Sequence, residues 1–468
     1  MPNGVSTSRS VLWKFIERGS VIGCQFVIQI VMARLLDPSE YGILTIMTTF
    51  IAIAQVIVQT GLTSSIIQTK ELDDEKTSSV FWINIIFSVI LFLILLVCSP
   101  LIESYYDFDG FVVPFCVLTM LIPFAAIGSV QLSLLSRRMQ FKKIMICSLV
   151  GVVVSGTVGI IMAFNNMGIW ALVTQHLLHH LVNTLTLCVA SRWIPKFKLK
   201  ITRIKDMLVF GGRILVGNII ESIYDNIVSL MIGKKYDTVT LAYYDKGKKF
   251  PNMAASCVKE ALQSVLMSSY SKHQDDKSEI RESMRIHIRI SQFAMCAIMC
   301  ILAVVSEPLI SIILTDKWLP CAPYLKIACL FYMFIPVNTI MLQAINSIGR
   351  SDISLKTGIL KRIIAIVLIF VTFLISDSVV VVAFIWAFTG LVNFLMNCMY
   401  IKKLFGYNVI QQIIDFIPYL LVASGVVIML QFITLPALNV FLDLLLKAFL
   451  GATIYFVVVL VCSLDGLK

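Results

Sequence analysis

Apolar residues along this chain fall in blocks of about twenty, separated by short loops rich in charge, proline or glycine. Twenty apolar residues are what a helix needs to cross a hydrocarbon layer ~30 Å thick. The pattern predicts about fourteen spans, at approximately 11–33, 41–67, 78–100, 111–135, 143–164, 168–190, 207–233, 238–268, 286–314, 322–346, 356–375, 378–401, 410–432 and 438–462. A transmembrane β-barrel would show segments of ~10 residues with alternating polarity instead, and none occurs. The expected fold class is therefore all-α, an integral membrane protein whose backbone polar groups are satisfied inside helices.

Composition agrees. Of 468 residues, 58% are hydrophobic and 14% charged, where a soluble chain carries about 25% charged. The net charge of +11 does not imply nucleic acid. Lysine and arginine concentrate in alternate loops: Arg137, Arg138, Lys142 and Lys143, then 191–206, then 269–289, then Arg350, Lys356, Lys361 and Arg362, then Lys402 and Lys403. The positive-inside rule puts these loops, and with an even span count both termini, in the cytoplasm. Lys234, Lys235 and 246–249 break the rule and read as a basic rim or cavity mouth. No small-residue cleavage site follows the first apolar block, so it is expected to stay as an anchor. The twelve cysteines form no CxxC pair and lie mostly inside apolar blocks. They behave as small hydrophobes, and neither a metal site nor a disulfide framework is expected.

The chain also starts over near its middle. Cys98-Ser99-Pro100-Leu101-Ile102 matches Ser306-Glu307-Pro308-Leu309-Ile310, and Ile122-Pro123, Gln131 and Arg137 recur as Ile335-Pro336, Gln343 and Arg350. Duplication of this kind marks transporter halves. Six spans is an even number, so the halves are like-oriented. The expected organisation is an N-terminal six-helix lobe at 1–200, a second at 201–405 around a central cleft, and two extra C-terminal helices at 406–468.

The residues then resemble a known family. Ala33-Arg34-Leu35-Leu36-Asp37-Pro38-Ser39-Glu40-Tyr41-Gly42 is similar to the first-loop signature of the polysaccharide flippases of the multidrug/oligosaccharidyl-lipid/polysaccharide (MOP) superfamily. Gly61-Leu62 with Ile66-Ile67-Gln68, and Asp225-Asn226 with Ile232-Gly233 and Tyr243-Tyr244, fit the same group. Glu307-Pro308-Leu309-Ile310, Lys317-Trp318-Leu319-Pro320, Leu342-Gln343-Ala344-Ile345-Asn346 and Gly349-Arg350-Ser351-Asp352 resemble the lipopolysaccharide and colanic-acid exporters, the WzxC-like branch. The sequence departs from the pattern after Gly233, where Lys234-Lys235-Tyr236-Asp237 and Leu241-Ala242-Tyr243 replace glycine-containing turns.

The resemblance implies a flippase of the bacterial cytoplasmic membrane. Its cargo would be a polyprenyl-diphosphate-linked oligosaccharide for surface polysaccharide, with membrane lipids and a polysaccharide polymerase as partners and a monomer as working unit. No enzyme activity, nucleic acid or cofactor is implied, and there is no GxxxxGK[ST] stretch for ATP. Two rivals stay open: a cation-coupled multidrug antiporter of the same superfamily, and a membrane polysaccharide polymerase or ligase.

A diphosphate needs cations, and Arg offers a fork of donors. Arg213, next to Gly211 and Gly212 inside the 207–233 span, is the first candidate, because intramembrane charge faces a bundle interior or a hydrated cleft. An ion pair with Glu221 is the structural alternative. Lys259 and the pair Lys14 and Arg18 are further substrate-binding candidates, although Lys14 and Arg18 also fit a snorkelling helix end. Glu17, Glu221 and Asp225 are the coupling-ion candidates, since carboxylates in a low-dielectric cleft exchange protons or cations. Neutralising Arg213 and Lys259 is their plainer role. His176, His179 and His180 share one helix face and read as a polar lining of the cleft. Trp170, Trp193, Trp318, Tyr105 and Tyr106 sit near predicted span ends, where interfacial anchoring accounts for them.

Overall fold

In lipid an unpaired backbone amide costs several kcal/mol, so apolar blocks fold as helices. Every regular element among the described residues is one. The computed structural model describes residues 7–59, 61–69, 72–197, 200, 204–273, 276–431 and 439–461; the side chains of 7–18, 61, 62, 64, 210, 213 and 268 lie outside the description. The chain divides into two compact units, Met1–Ala242 and Tyr243–Lys468.

The first unit holds α1 (Thr7–Leu35), α2 (Pro38–Gln59), α3 (Gly61–Gln68), α4 (Asp74–Tyr106), α5 (Val112–Thr119), α6 (Leu121–Arg137), α7 (Phe141–Phe164), α8 (Ile169–Ser191) and α9 (Lys205–Lys235), with the first residues of α10 (Thr238–Lys272). The second holds the rest of α10, then α11 (Lys277–Val304), α12 (Ser306–Leu314), a 3-10 turn (Asp316–Cys321), α13 (Ala322–Tyr332), α14 (Ile335–Ser347), α15 (Ser351–Ile375), α16 (Val379–Phe405), α17 (Val409–Gln431) and α18 (Val440–Val461).

Among the described residues, eleven helical segments are long and apolar enough to cross a membrane, where the sequence predicts about fourteen. Of the other three windows, 11–33 falls on α1, where Gly19–Leu35 is apolar and the side chains before it lie outside the described residues; the windows on α8 and α10 are helical but more polar. Helix α8 carries Gln175, His176, His179, His180 and Asn183, and α10 carries Asp245, Lys246, Lys248 and Lys249.

Two predicted spans are broken, at corresponding places of the repeat. The 111–135 block becomes α5 and α6, separated at Met120, just ahead of Pro123. The 322–346 block becomes α13 and α14, separated at Met333 and Phe334, just ahead of Pro336. Proline has no N–H to give the carbonyl four residues earlier, so a turn of helix loses its bond there. Interrupted helices in matching positions of two halves are where transporter folds build their sites.

The helix starts are repeated too. The Asp37 amide donates to Glu40 Oε2 at 3.0 Å, the reach-back half of a capping box at the start of α2. At the start of α10, the Thr240 amide donates to Asp237 Oδ1 at 2.5 Å. These two starts approach each other closely: a Cβ placed on Gly42 would lie 1.9 Å from the Thr238 carbonyl oxygen. Only glycine leaves room for that oxygen. Gly42→Val is therefore expected to destabilise the first unit by about 1–3 kcal/mol, an overpacking cost. A thermal-stability assay of the detergent-solubilised protein checks it; an unchanged melting temperature would show that the two starts do not touch.

The basic linker after α8 is not a loose loop. The amides of Lys196 and Lys200 donate to Ser78 and Ser79 Oγ, each at 3.0 Å, and Trp82 Nε1 donates to the Lys196 carbonyl at 2.9 Å. Their ammonium groups reach Asp74 (2.9 Å) and Glu75 (3.1 Å) in the first turn of α4. At its other end α4 closes on α9. Tyr106 OH donates to the Leu230 carbonyl at 3.2 Å, and Lys234 donates to the Tyr105 carbonyl. A cation there also complements the negative end of the α4 dipole. Lys234 thus acts as a helix clamp as well as part of a basic rim.

Candidate functional site

Helix α9 carries three of the sequence-predicted residues: Arg213, then Glu221 eight on and Asp225 four further, the last two on one face. Glu221 and Asp225 are exposed, and Asn226 beside them bonds back to the Ser222 carbonyl at 2.8 Å. The Arg213 side chain, and those of Lys14, Glu17 and Arg18 on α1, lie outside the described residues. Lys259 stands exposed on α10 and makes no ion pair among the described residues. The three histidines lie half-buried along α8, with His176 Nδ1 2.9 Å from the Leu172 carbonyl and the His179 and His180 rings edge-on at 5.5 Å.

The second unit brings together groups that sequence reasoning left apart. The stretch Tyr243-Tyr244-Asp245-Lys246-Gly247-Lys248 in α10 packs against the 3-10 turn, α13 and α16. Gly247 makes this possible, because a Cβ there would stand 2.9 Å from the Cys321 carbonyl oxygen. Lys246, only 5% exposed, holds its ammonium 5.4 Å from the Trp318 ring centre. Lys248 lies 4.7 Å from the ring centres of both Tyr244 and Trp386. Trp386 is stacked on Phe331 at 4.2 Å, and Tyr243 OH donates to the Lys317 carbonyl at 3.2 Å. Trp318 is therefore not an interfacial anchor: it is fully buried, a ring wall for Lys246. Each such cation–ring contact contributes about 0.5–2 kcal/mol. Ammonium groups beside flat rings suit a ligand made of sugars and phosphate.

A second polar cluster surrounds the break between α13 and α14. Gln292 Nε2 on α11 donates to the Met333 carbonyl at 2.6 Å, and Asn338 Nδ2 donates to the Phe334 carbonyl at 3.0 Å. Asn397 Nδ2 on α16 donates to Asn338 Oδ1 at 2.7 Å, and Lys361 Nζ on α15 donates to Asn397 Oδ1. The charge pattern groups Lys361 with cytoplasmic basic residues, although it falls inside the predicted 356–375 span; in the structure it is the eleventh residue of α15, about 15 Å along the helix from its start. A third cluster joins α11 to α17. Buried Asp415 accepts from Arg285 Nε at 2.9 Å, Arg289 Nε at 2.7 Å and Tyr407 OH at 2.5 Å.

This architecture has known relatives. Residues 31–323 match the model of the family described as polysaccharide biosynthesis protein. The chain belongs to that family. Members that it is similar to include the succinoglycan biosynthesis transport protein ExoT of Rhizobium meliloti, 22% identical over 77% of this chain and 73% of ExoT. The lipopolysaccharide biosynthesis protein WzxC of Escherichia coli is 23% identical over 76% of this chain and 72% of WzxC. Among solved structures, the lipid II flippase MurJ in an inward closed conformation superposes with a TM-score of 0.78, covering 98% of this chain and 100% of that one at 15% identity. At that identity the likeness establishes the fold alone. This member of the polysaccharide biosynthesis protein family is thus a multi-pass helical membrane protein, as its sequence resemblance implies.

The polar clusters of this family member carried a signal in the sequence. Lys361 and Asp415 each interrupt an apolar block, the same sign that singles out Arg213. Lys361 was passed over because its neighbours Lys356 and Arg362 grouped it with the basic residues used for orientation. Asn338 and Asn397 carry no charge, and nothing short of a fold brings them together.

Proposed function

We propose that this protein flips polyprenyl-diphosphate-linked oligosaccharide units from the cytoplasmic to the outer leaflet of the bacterial cytoplasmic membrane, for assembly of a surface polysaccharide. The observation that carries this is membership of the polysaccharide biosynthesis protein family over 31–323. The physical chemistry supports it. The cargo combines an anionic diphosphate, sugars and a long prenyl tail. It needs cations and rings inside a bundle that opens sideways to lipid, and it needs no hydrolysable nucleotide site.

In this reading the repeat gives two six-helix lobes, 1–200 and 201–405, followed by 406–468, with both termini cytoplasmic. Arg213, Lys259, Lys14 and Arg18 bind the diphosphate, and Glu17, Glu221 and Asp225 carry the coupling ion. Lys246 and Lys248, each beside aromatic rings, are further cations of the second unit. The protein works as a transporter without covalent chemistry, as a monomer, and hands its product to a polysaccharide polymerase. A cleft for cationic drugs would be acidic and poor in arginine, so the cationic candidates favour an anionic cargo over the antiporter alternative.

Mass spectrometry of membrane lipids after depletion of this protein tests the reading. Single oligosaccharide units on polyprenyl diphosphate are expected to accumulate, unpolymerised and facing the cytoplasm. Unchanged lipid-linked intermediates together with new sensitivity to cationic dyes would replace the flippase by the antiporter.

A further inference from the structure

The chain Lys361–Asn397–Asn338–Phe334 has a direction, and nothing in the proposed cargo path uses it. Lys361 Nζ donates to Asn397 Oδ1, Asn397 Nδ2 donates to Asn338 Oδ1, and Asn338 Nδ2 donates to the Phe334 carbonyl. The series crosses three helices, α15, α16 and α14, and ends at the proline-made break. Its first member is an amine about 15 Å along α15 from the helix start, inside the predicted 356–375 span. A charged side chain inside a span carries a cost that a leucine would avoid.

The electrostatic surroundings are sparse. Helices α14 and α16 contain no aspartate or glutamate. On α15 the one carboxylate, Asp352, lies nine residues away and is held by Arg350 at 2.9 and 3.1 Å. The charged or titratable groups that face Lys361 are Arg362 on its own helix and Cys398 on α16; α14 offers none. Lys361 makes no ion pair among the described residues, and its hydrogen-bond partner is a neutral amide. A structural lysine inside a span is commonly held by a carboxylate or by backbone carbonyls. A lysine that must change charge is not.

We propose that Lys361 is a further proton-binding site, beside the coupling-ion carboxylates Glu17, Glu221 and Asp225, and that its protonation and deprotonation couple the α13–α14 break to the transport cycle. The proposal rests on the transporter reading. As an ammonium, Lys361 can only donate, which fixes Asn397 with its oxygen toward the lysine and its amide toward Asn338. That fixes Asn338 in turn, with its own amide on the Phe334 carbonyl. When the ammonium gives its proton to water, the amine gains a lone pair. Asn397 can then rotate and donate to it, turning its oxygen toward the Asn338 amide. The Phe334 carbonyl loses the side-chain half of its two hydrogen bonds and keeps the Asn338 backbone amide at 3.2 Å. Gln292 still holds the Met333 carbonyl, so the change is confined to one side of the break, where it frees α14 to move relative to α13.

Proteoliposomes of the full chain, loaded with a pH-sensitive dye, test this. Two probes are offered, a fluorescent polyprenyl-diphosphate N-acetylglucosamine and a cationic dye. Wild type is expected to move protons with the lipid-linked sugar, and to move sugar faster under an imposed pH gradient. Lys361→Met, permanently neutral, and Lys361→Arg, permanently charged but still a donor to Asn397, are expected to fold and to lose both the proton signal and the gradient response. A variant of either kind that retains them overturns the proposal. So does a wild-type protein that moves no protons with either probe. Proton movement with the cationic dye alone, abolished in both variants, would leave Lys361 in place and remove the flippase reading instead.

Discussion

Asp415→Ala is expected to destabilise the protein by about 3 kcal/mol, because it leaves two arginines without their shared carboxylate. The Asp415 side chain is 1% exposed, while Arg285 and Arg289 are 30% and 29% exposed. Removing one partner of a buried ion pair costs about 3–5 kcal/mol, and the partial access of the guanidinium groups to water argues for the lower end. Tyr407 OH would lose its acceptor in the same step, and the Tyr407 carbonyl is itself held by Gln412 Nε2 at 2.7 Å. The lesion therefore spreads to the turn between α16 and α17. Thermal unfolding in detergent measures the loss. Asp415→Asn, which keeps an acceptor but not the charge, is expected to fall between wild type and Asp415→Ala. The triple change Asp415→Leu, Arg285→Leu and Arg289→Leu removes charge and counter-charge together and is expected to recover most of the stability. Equal melting temperatures for wild type and Asp415→Ala would mean that the three side chains do not meet.

That cluster also marks how far the sequence could be read. Block length and polarity alone gave the fold class and the placing of most helices. Desolvating a backbone amide costs the same wherever it lies, so the signal is local and additive along the chain. The repeat was legible for the same reason: Ile122-Pro123 and Ile335-Pro336 are short motifs, and both prove to be helix breaks. Side-chain partnerships were not. Nothing in the apolar run around Asp415 names Arg285 and Arg289, about 130 residues earlier, as its partners. Trp318 looked like an interfacial ring because it follows a lysine near a predicted span end, yet Gly247 lets α10 pack so close that the ring is buried. Lys361 was counted with the basic residues that set orientation although the predicted span 356–375 contains it, because positive charge alone does not tell a loop residue from one inside a helix.

Arg213→Ala is expected to abolish surface polysaccharide export while leaving the amount of protein in the membrane unchanged. The expectation rests on the sequence and on the course of α9. Arg213 is the ninth residue of a 31-residue helix, beside Gly211 and Gly212, which offer no side chains to block a ligand. A guanidinium can grip two phosphate oxygens at once, a geometry that lysine lacks. Truncating a desolvated charge contact costs about 2–5 kcal/mol, so a loss near 3 kcal/mol is a factor above 100 in cargo affinity. Arg213→Lys keeps the charge without the fork and is expected to export at an intermediate rate. The competing role is an ion pair with Glu221, eight residues and just over two turns further along the helix. It makes the opposite prediction: Arg213→Ala would lower the protein level, and adding Glu221→Ala would restore it. Quantifying membrane protein by immunoblot beside cell-surface polysaccharide separates the two. Normal export by Arg213→Ala at normal protein level would remove Arg213 from the cargo site and leave Lys259, Lys246 and Lys248 as the cations to substitute.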